Sequence, residues 1–204
     1  MNIEQKNYIH SGIGKYLCAI VGGIFAEFLL MLSQAIFTDE KTLTIATVIC
    51  ATAGLFFGIY ELVGLHEAAK SNFGFFNIVF YIELIDAIYD FVIAIVQFYI
   101  GSLDNSWAEI GRAVISIVSF ALVMSSYVKV AQSEGYSCKL INFAMGFYIV
   151  GFIGSMVTVF THAYSELTNA TVAGVLGDLA FAVVGWLLSI AATAQCYKKT
   201  APKT

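Results

Sequence analysis

The sequence predicts an all-α fold: a polytopic membrane protein built as a compact bundle of six transmembrane helices. Three observations carry this reading. Hydrophobic residues make up 59% of the 204 and charged residues only 12%, where a soluble domain carries roughly a quarter charged. The apolar residues fall into six stretches of the ~20 residues that cross a hydrocarbon core as a helix. The single proline, Pro202, lies outside all of them, so no ring interrupts their backbone hydrogen bonds. The same composition excludes disorder, which needs low hydrophobicity. A net charge of -4 offers no basic face to nucleic acid.

The first stretch, Lys15–Phe37, is read as a span and not a cleaved leader. Ser33-Gln34-Ala35 looks like a cleavage site, but the apolar run is too long for a leader and contains Glu27. Small residues at spacing four, Ala19-Gly23 and Gly22-Ala26, offer a surface for a neighbouring helix. The second stretch, Leu43–Leu65, repeats the device with Ala46, Cys50, Gly54 and Gly58. The third, Phe75–Gly101, is the most apolar in outline yet carries three acids. The fourth, Gly111–Ala131, is bracketed by Arg112 and Lys129. The fifth, Leu140–Thr161, contains Gly151 and Gly154, and the sixth, Thr171–Gln195, contains Gly174, Ala182 and Gly185. None alternates with the period of two of a lipid-facing barrel strand. Connections of about five to nine residues suit antiparallel neighbours and leave no room for a soluble domain. Residues 1–204 therefore read as one integral membrane domain.

Orientation follows from the basic residues. Eight of the ten, Lys6, Lys15, Lys70, Lys129, Lys139, Lys198, Lys199 and Lys203, fall on one side, against Lys41 and Arg112 on the other. Both termini are therefore expected in the cytoplasm, with the chain in the plasma membrane. Tyr16, Tyr60, Tyr127 and Tyr197 fall at the inner edge and Tyr99, Trp107 and Tyr164 at the outer one, as an aromatic belt would. Cys18, Cys50, Cys138 and Cys196 show no CxxC spacing, and His10, His66 and His162 are dispersed. No metal or other cofactor is expected from them.

The functional signal is acidic. Glu27, Glu61, Glu83, Asp86, Asp90 and Asp178 lie inside the spans, with no Lys or Arg deep in any span to neutralise them. A carboxylate at the bilayer centre costs at least ~2.5 kcal/mol on insertion scales, so it should face the bundle or a wet cavity. Glu61, within a turn of the inner end of its stretch, is expected to reach the interface instead. In the third span Glu83, Asp86, Asp90 and Gln97 occupy a sector of only about 60° at ~100° per residue. One polar stripe thus runs along a greasy helix. By ~1.5 Å per residue, Glu27, Asp90 and Asp178 come out near mid-membrane. They are expected to share an acidic pocket, approached along Glu83 and Asp86, that relays protons or cations.

Two short motifs carry a local resemblance. Tyr89-Asp90, and Leu176-Gly177-Asp178-Leu179 in a later helix, resemble the two aspartate motifs of presenilin-type intramembrane proteases. The resemblance implies Asp90 and Asp178 as a water-activating dyad for peptide cleavage. Val175 stands where that family has glycine, no Pro-Ala-Leu segment exists, and two helices intervene between the aspartate helices.

Three functions are ranked from these features. The first is transport of a proton, cation or small cationic solute through a carboxylate-lined interior. The second is a non-catalytic membrane subunit or scaffold, a homo-oligomer or a partner for other helices. Its packing seams would be Gly22, Gly23, Ala26, Gly54, Gly58, Gly151, Gly154, Gly174 and Gly185. Solute-binding subunits of vitamin uptake systems are similar in size and helix count. The third is the intramembrane protease. With no HExxH, GxSxG or phosphate-binding loop in the sequence, the balance leans away from an enzyme.

Overall fold

A computed structural model describes residues 1–37, 39–100, 106–162 and 170–202; side chains at 34–35, 40, 90, 94–100, 106–110, 112–113, 152, 155–162 and 170–182 lie outside the described residues. The described chain is all-helical. Six helices follow one another: α1 (Ile3–Ile36), α2 (Glu40–Ala69), α3 (Phe76–Ile100), α4 (Ser106–Glu134), α5 (Lys139–His162) and α6 (Ala170–Thr200). Three segments among the described residues are long and apolar enough to cross a membrane: Ile3–Ser33, Lys41–Ala69 and Val114–Glu134. Lys139–Gly151 is apolar but shorter.

The helices outrun the apolar stretches that predict them. Helix α1 begins twelve residues before Lys15, because Asn2 caps it: its side chain accepts from the Gln5 amide at 2.7 Å, and Gln5 Oε1 accepts from the Asn2 amide at 3.0 Å. This reciprocal pair satisfies two amides that a helix start leaves without partners. Helix α2 starts on Asp39, whose carboxylate accepts from the Thr42 amide at 2.9 Å and the Thr42 hydroxyl at 2.8 Å. At its other end it continues a turn past Leu65 to Ala69. Helix α4 stops at Gly135, where φ is 72° and the Tyr136 amide reaches back to the Ala131 carbonyl at 3.0 Å. A left-handed residue after the last turn is the usual way to close a helix.

Each helix packs on the next, and α6 returns to α1, so the six close into a ring; α4 and α6 also touch across it. The α1–α2 pair is the most extensive contact. It is possible because two glycines meet. A Cβ on Gly12 would sit 2.5 Å from the Ala68 amide and 2.6 Å from the Gly64 carbonyl oxygen, and one on Gly64 would sit 2.7 Å from the Tyr16 amide. Gly22 likewise makes room for the Phe57 ring.

Burial is concentrated at the end that carries both termini. Ile9, Leu65, Phe76, Tyr127, Ile141 and Cys196, one from each helix, are all within 2% of complete burial. Polar ties join the same end. Lys6 pairs with Glu134 at 2.5 Å, Lys15 with Glu67, and Gln5 donates to the Ser71 carbonyl at 3.2 Å. The Ser126 hydroxyl accepts from the Phe75 amide at 2.8 Å, and His10 stacks on Tyr197 with ring centroids 4.2 Å apart. Tyr127 is therefore no belt residue. It is 1% exposed, in the middle of the core.

Several expected seams look different in space. Gly22 and the buried Ala26 do sit against neighbours. At Gly23, Gly54, Gly58, Gly154 and Gly185 a Cβ would meet nothing within 4 Å, so none is a close crossing point inside this chain. Gly151 is half-buried, and Gly174 lies outside the described side chains. Spacing four identifies one face of a helix but not which helix, if any, faces it. The crossing that matters is at Gly12 on α1 against Gly64 and Ala68, a small pair at spacing four on α2 that the apolar stretch ending at Leu65 cuts in two.

Candidate functional site

Three carboxyl side chains from two helices line one groove. Helix α2 presents Glu61, and α3 presents Glu83 and Asp86 one turn apart. The groove encloses about 430 Å³, and its remaining walls are apolar, with Gly58, Ile59, Leu62 and Phe91 among them. No Lys, Arg or His is among the described residues lining it.

The groove is anchored from behind by α4. The buried Ser119 hydroxyl donates to Glu83 Oε1, fixing one carboxyl at the seam between α3 and α4. Tyr16 of α1 and Tyr148 of α5 stand near enough to interact electrostatically with Glu83, and Tyr16 and Tyr127 with Glu61. Polar groups of α1, α2, α3, α4 and α5 thus share one neighbourhood. Phe120 stacks on Tyr148 with centroids 4.0 Å apart and covers the aromatic side of it.

Such a set has acids that accept, hydroxyls that both donate and accept, and apolar walls that keep the local dielectric low. It suits holding a proton or a cation, because carboxyls brought together between apolar walls attract one. Among the described residues no three His, Cys, Asp or Glu side chains are grouped so as to hold a metal ion.

Glu61, expected at the interface and apart from the acidic stripe, lines the groove beside Glu83 and Asp86. Measured from Leu65 it appears to reach water, but α2 runs on to Ala69, so eight residues, roughly 12 Å of helix, separate it from that end. The signal that would have found it is the apolar pair Ala68-Ala69, which extends the helix beyond the polar His66-Glu67.

The expected pocket of Glu27, Asp90 and Asp178 is only partly visible. Glu27 lies exposed in a different groove, between α1 and α6, beside Phe28 and Trp186. It does not share walls with Glu83 and Asp86. The reason is rotational: α1 turns Ala19 and Ala26 inward, and Glu27, one residue and ~100° on from Ala26, leaves that face. The side chains of Asp90, Gln97 and Asp178 lie outside the described residues, and with them the proposed aspartate dyad. No family model matches the chain, and no curated protein or solved structure matches it.

Proposed function

We propose that the chain is a six-span protein of the plasma membrane, termini inward, that transports a proton, a cation or a small cationic solute by way of the Glu61–Glu83–Asp86 groove. The observation that supports this best is that acids from two helices, Glu61, Glu83 and Asp86, line one apolar-walled groove. Tyr16 and Tyr148 supply hydroxyls through which a proton can pass between the acids and the bundle interior.

The test is flux in proteoliposomes under an imposed ion gradient. Glu83→Gln and Glu61→Gln keep shape and remove charge, and each is expected to lower flux by about tenfold or more, the effect of losing one charge-assisted interaction. Ser119→Ala, which frees the Glu83 carboxyl to swing, should lower it less. Equal flux in wild type, Glu61→Gln and Glu83→Gln would remove the reading.

A second reading, a subunit that binds partner helices, is favoured by Gly54 and Gly58. A Cβ at either would meet nothing within 4 Å among the described residues, and close backbone approach is what such positions permit. Cysteine cross-linking from position 54 to another polypeptide in native membranes is its test.

A further inference from the structure

The groove between α1 and α6 is the larger of the two, about 550 Å³, and its chemistry differs from that of the acidic one. Its walls are apolar and rich in aromatic rings: Phe25 and Phe28 from α1, Trp186 from α6, with Met31 and Leu187 between them. A single charged side chain, Glu27, is among the described residues lining it. Among the described residues no Lys, Arg or His lines it to neutralise that charge. Its volume lies in the range, about 300 to 1,000 Å³, typical of sites for drug-sized molecules.

We infer that this groove binds a hydrophobic organic cation, with Glu27 as its counter-ion and the rings of Phe25, Phe28 and Trp186 around its body. Charge complementarity selects the occupant. A carboxylate at this depth gains most from a positive charge that can itself enter an apolar site, and a small hydrated ion cannot do so without shedding its water. A cation whose charge is spread over a large apolar body enters without that loss. Indole and phenyl faces attract such a cation further, most strongly where water is excluded. Methionine supplies an adaptable wall, so recognition rests on charge and size more than on a fixed outline. The site goes beyond the transport reading: it lies on other helices and needs neither Glu61 nor Glu83.

Equilibrium binding of radiolabelled tetraphenylphosphonium to the purified full chain in detergent, against protein-free micelles, tests it. The wild type should bind the cation. Tetraphenylborate, of the same shape and opposite charge, and neutral tetraphenylsilane should bind at least about tenfold more weakly, the discrimination one counter-ion supplies. Glu27→Gln should lose the cation's advantage, and Glu27→Asp should keep part of it. Val183→Trp, which fills the groove and leaves the carboxylate, should block all three probes, so a charge effect and a folding defect are separable. Glu83→Gln should still bind, which separates failure here from failure of the acidic groove. Equal binding of the three probes, or undiminished cation binding by Glu27→Gln, would overturn the inference. So would a disulfide between copies of the chain carrying Val183→Cys, since the groove would then be filled by a second copy.

Discussion

The end of the bundle that carries both termini and the half of α2 that leads away from it are built on opposite principles. At the termini, buried residues from all six helices interlock, and ion pairs, a capping box and a ring stack tie them together. Along α2 from Lys41 to Val63 no described residue is fully buried, and Ile45, Val48, Ile49, Leu55 and Phe56 all stand more than half exposed. The termini end is the more polar of the two, with Glu4, Lys6 and His10 on α1 alone, so apolar content does not explain its burial; in lipid, hydrocarbon outside a helix is as apolar as leucine inside. What distinguishes them is steric: whether a backbone comes close enough for atoms to touch. The acidic groove lies where the interlocked end gives way to the exposed one, with Glu61 only three residues before Gly64. That border location gives it rigid support on one side and access on the other.

The sharpest way to break this contrast is to add bulk to matched glycines. Gly12→Val or Gly64→Val drives a side chain into backbone atoms that cannot move aside, and is expected to cost about 3 kcal/mol or more, at the upper end for overpacking. Gly54→Val, on the exposed stretch of the same helix, should change stability by less than ~0.5 kcal/mol. Reversible unfolding of the three variants in mixed micelles measures the difference, and similar losses at Gly54 and Gly64 would dissolve the distinction. A smaller effect is expected from Glu134→Gln. Its carboxylate partner Lys6 is only 16% exposed in its side chain, and breaking the pair should cost up to ~1 kcal/mol, less at high salt. The same measurement with added sodium chloride checks the salt dependence.

The smallest effect belongs to the exposed start of α2. Bonds from the Thr42 amide and hydroxyl hold the Asp39 carboxyl below its ordinary value of 3.8. A carboxyl held low in the folded state stabilises that state above its unfolded value and loses the contribution as pH falls through the folded one. Protection of the first-turn amides of α2, relative to their intrinsic exchange rates, should therefore fall below pH 3.8, and Asp39→Asn, which keeps a capping oxygen but no charge, should abolish that acid dependence. If protection in the variant still falls in that range, the cap is not its source.

Much of this architecture is legible in the sequence, for identifiable reasons. The number and order of helices follow from apolar runs separated by short polar loops, because each run is long enough to declare itself. The ends of the helices are less visible. Residues 3–14 of α1 include Glu4, Lys6 and His10, so hydropathy alone ends the span at Lys15, although Asn2 and Gln5 cap a helix that begins at Ile3. That error in length carries into the site: with α2 cut at Leu65, Glu61 looks superficial. The stripe of Glu83 and Asp86 is legible because it needs only the pitch of one helix. Which helix faces it is a fact about α2 and α3 together, and no spacing within either reveals it. Glu27 shows the converse. Its depth follows from counting residues, while its direction depends on which face of α1 the Gly12–Gly64 contact turns toward α2.

His10 on the first helix touches the last: its Nδ1 lies 3.0 Å from the Tyr197 carbonyl oxygen and 3.3 Å from Thr200 Oγ1, beneath the Tyr197 ring. This clasp cannot close before α6 has been made. During synthesis α1 and α2 can pair through their glycines as soon as both exist, but the flank of α1 that faces α6 must wait for that helix to emerge. Until then α1 to α5 form an open horseshoe, and the arrival of α6 is what shuts it.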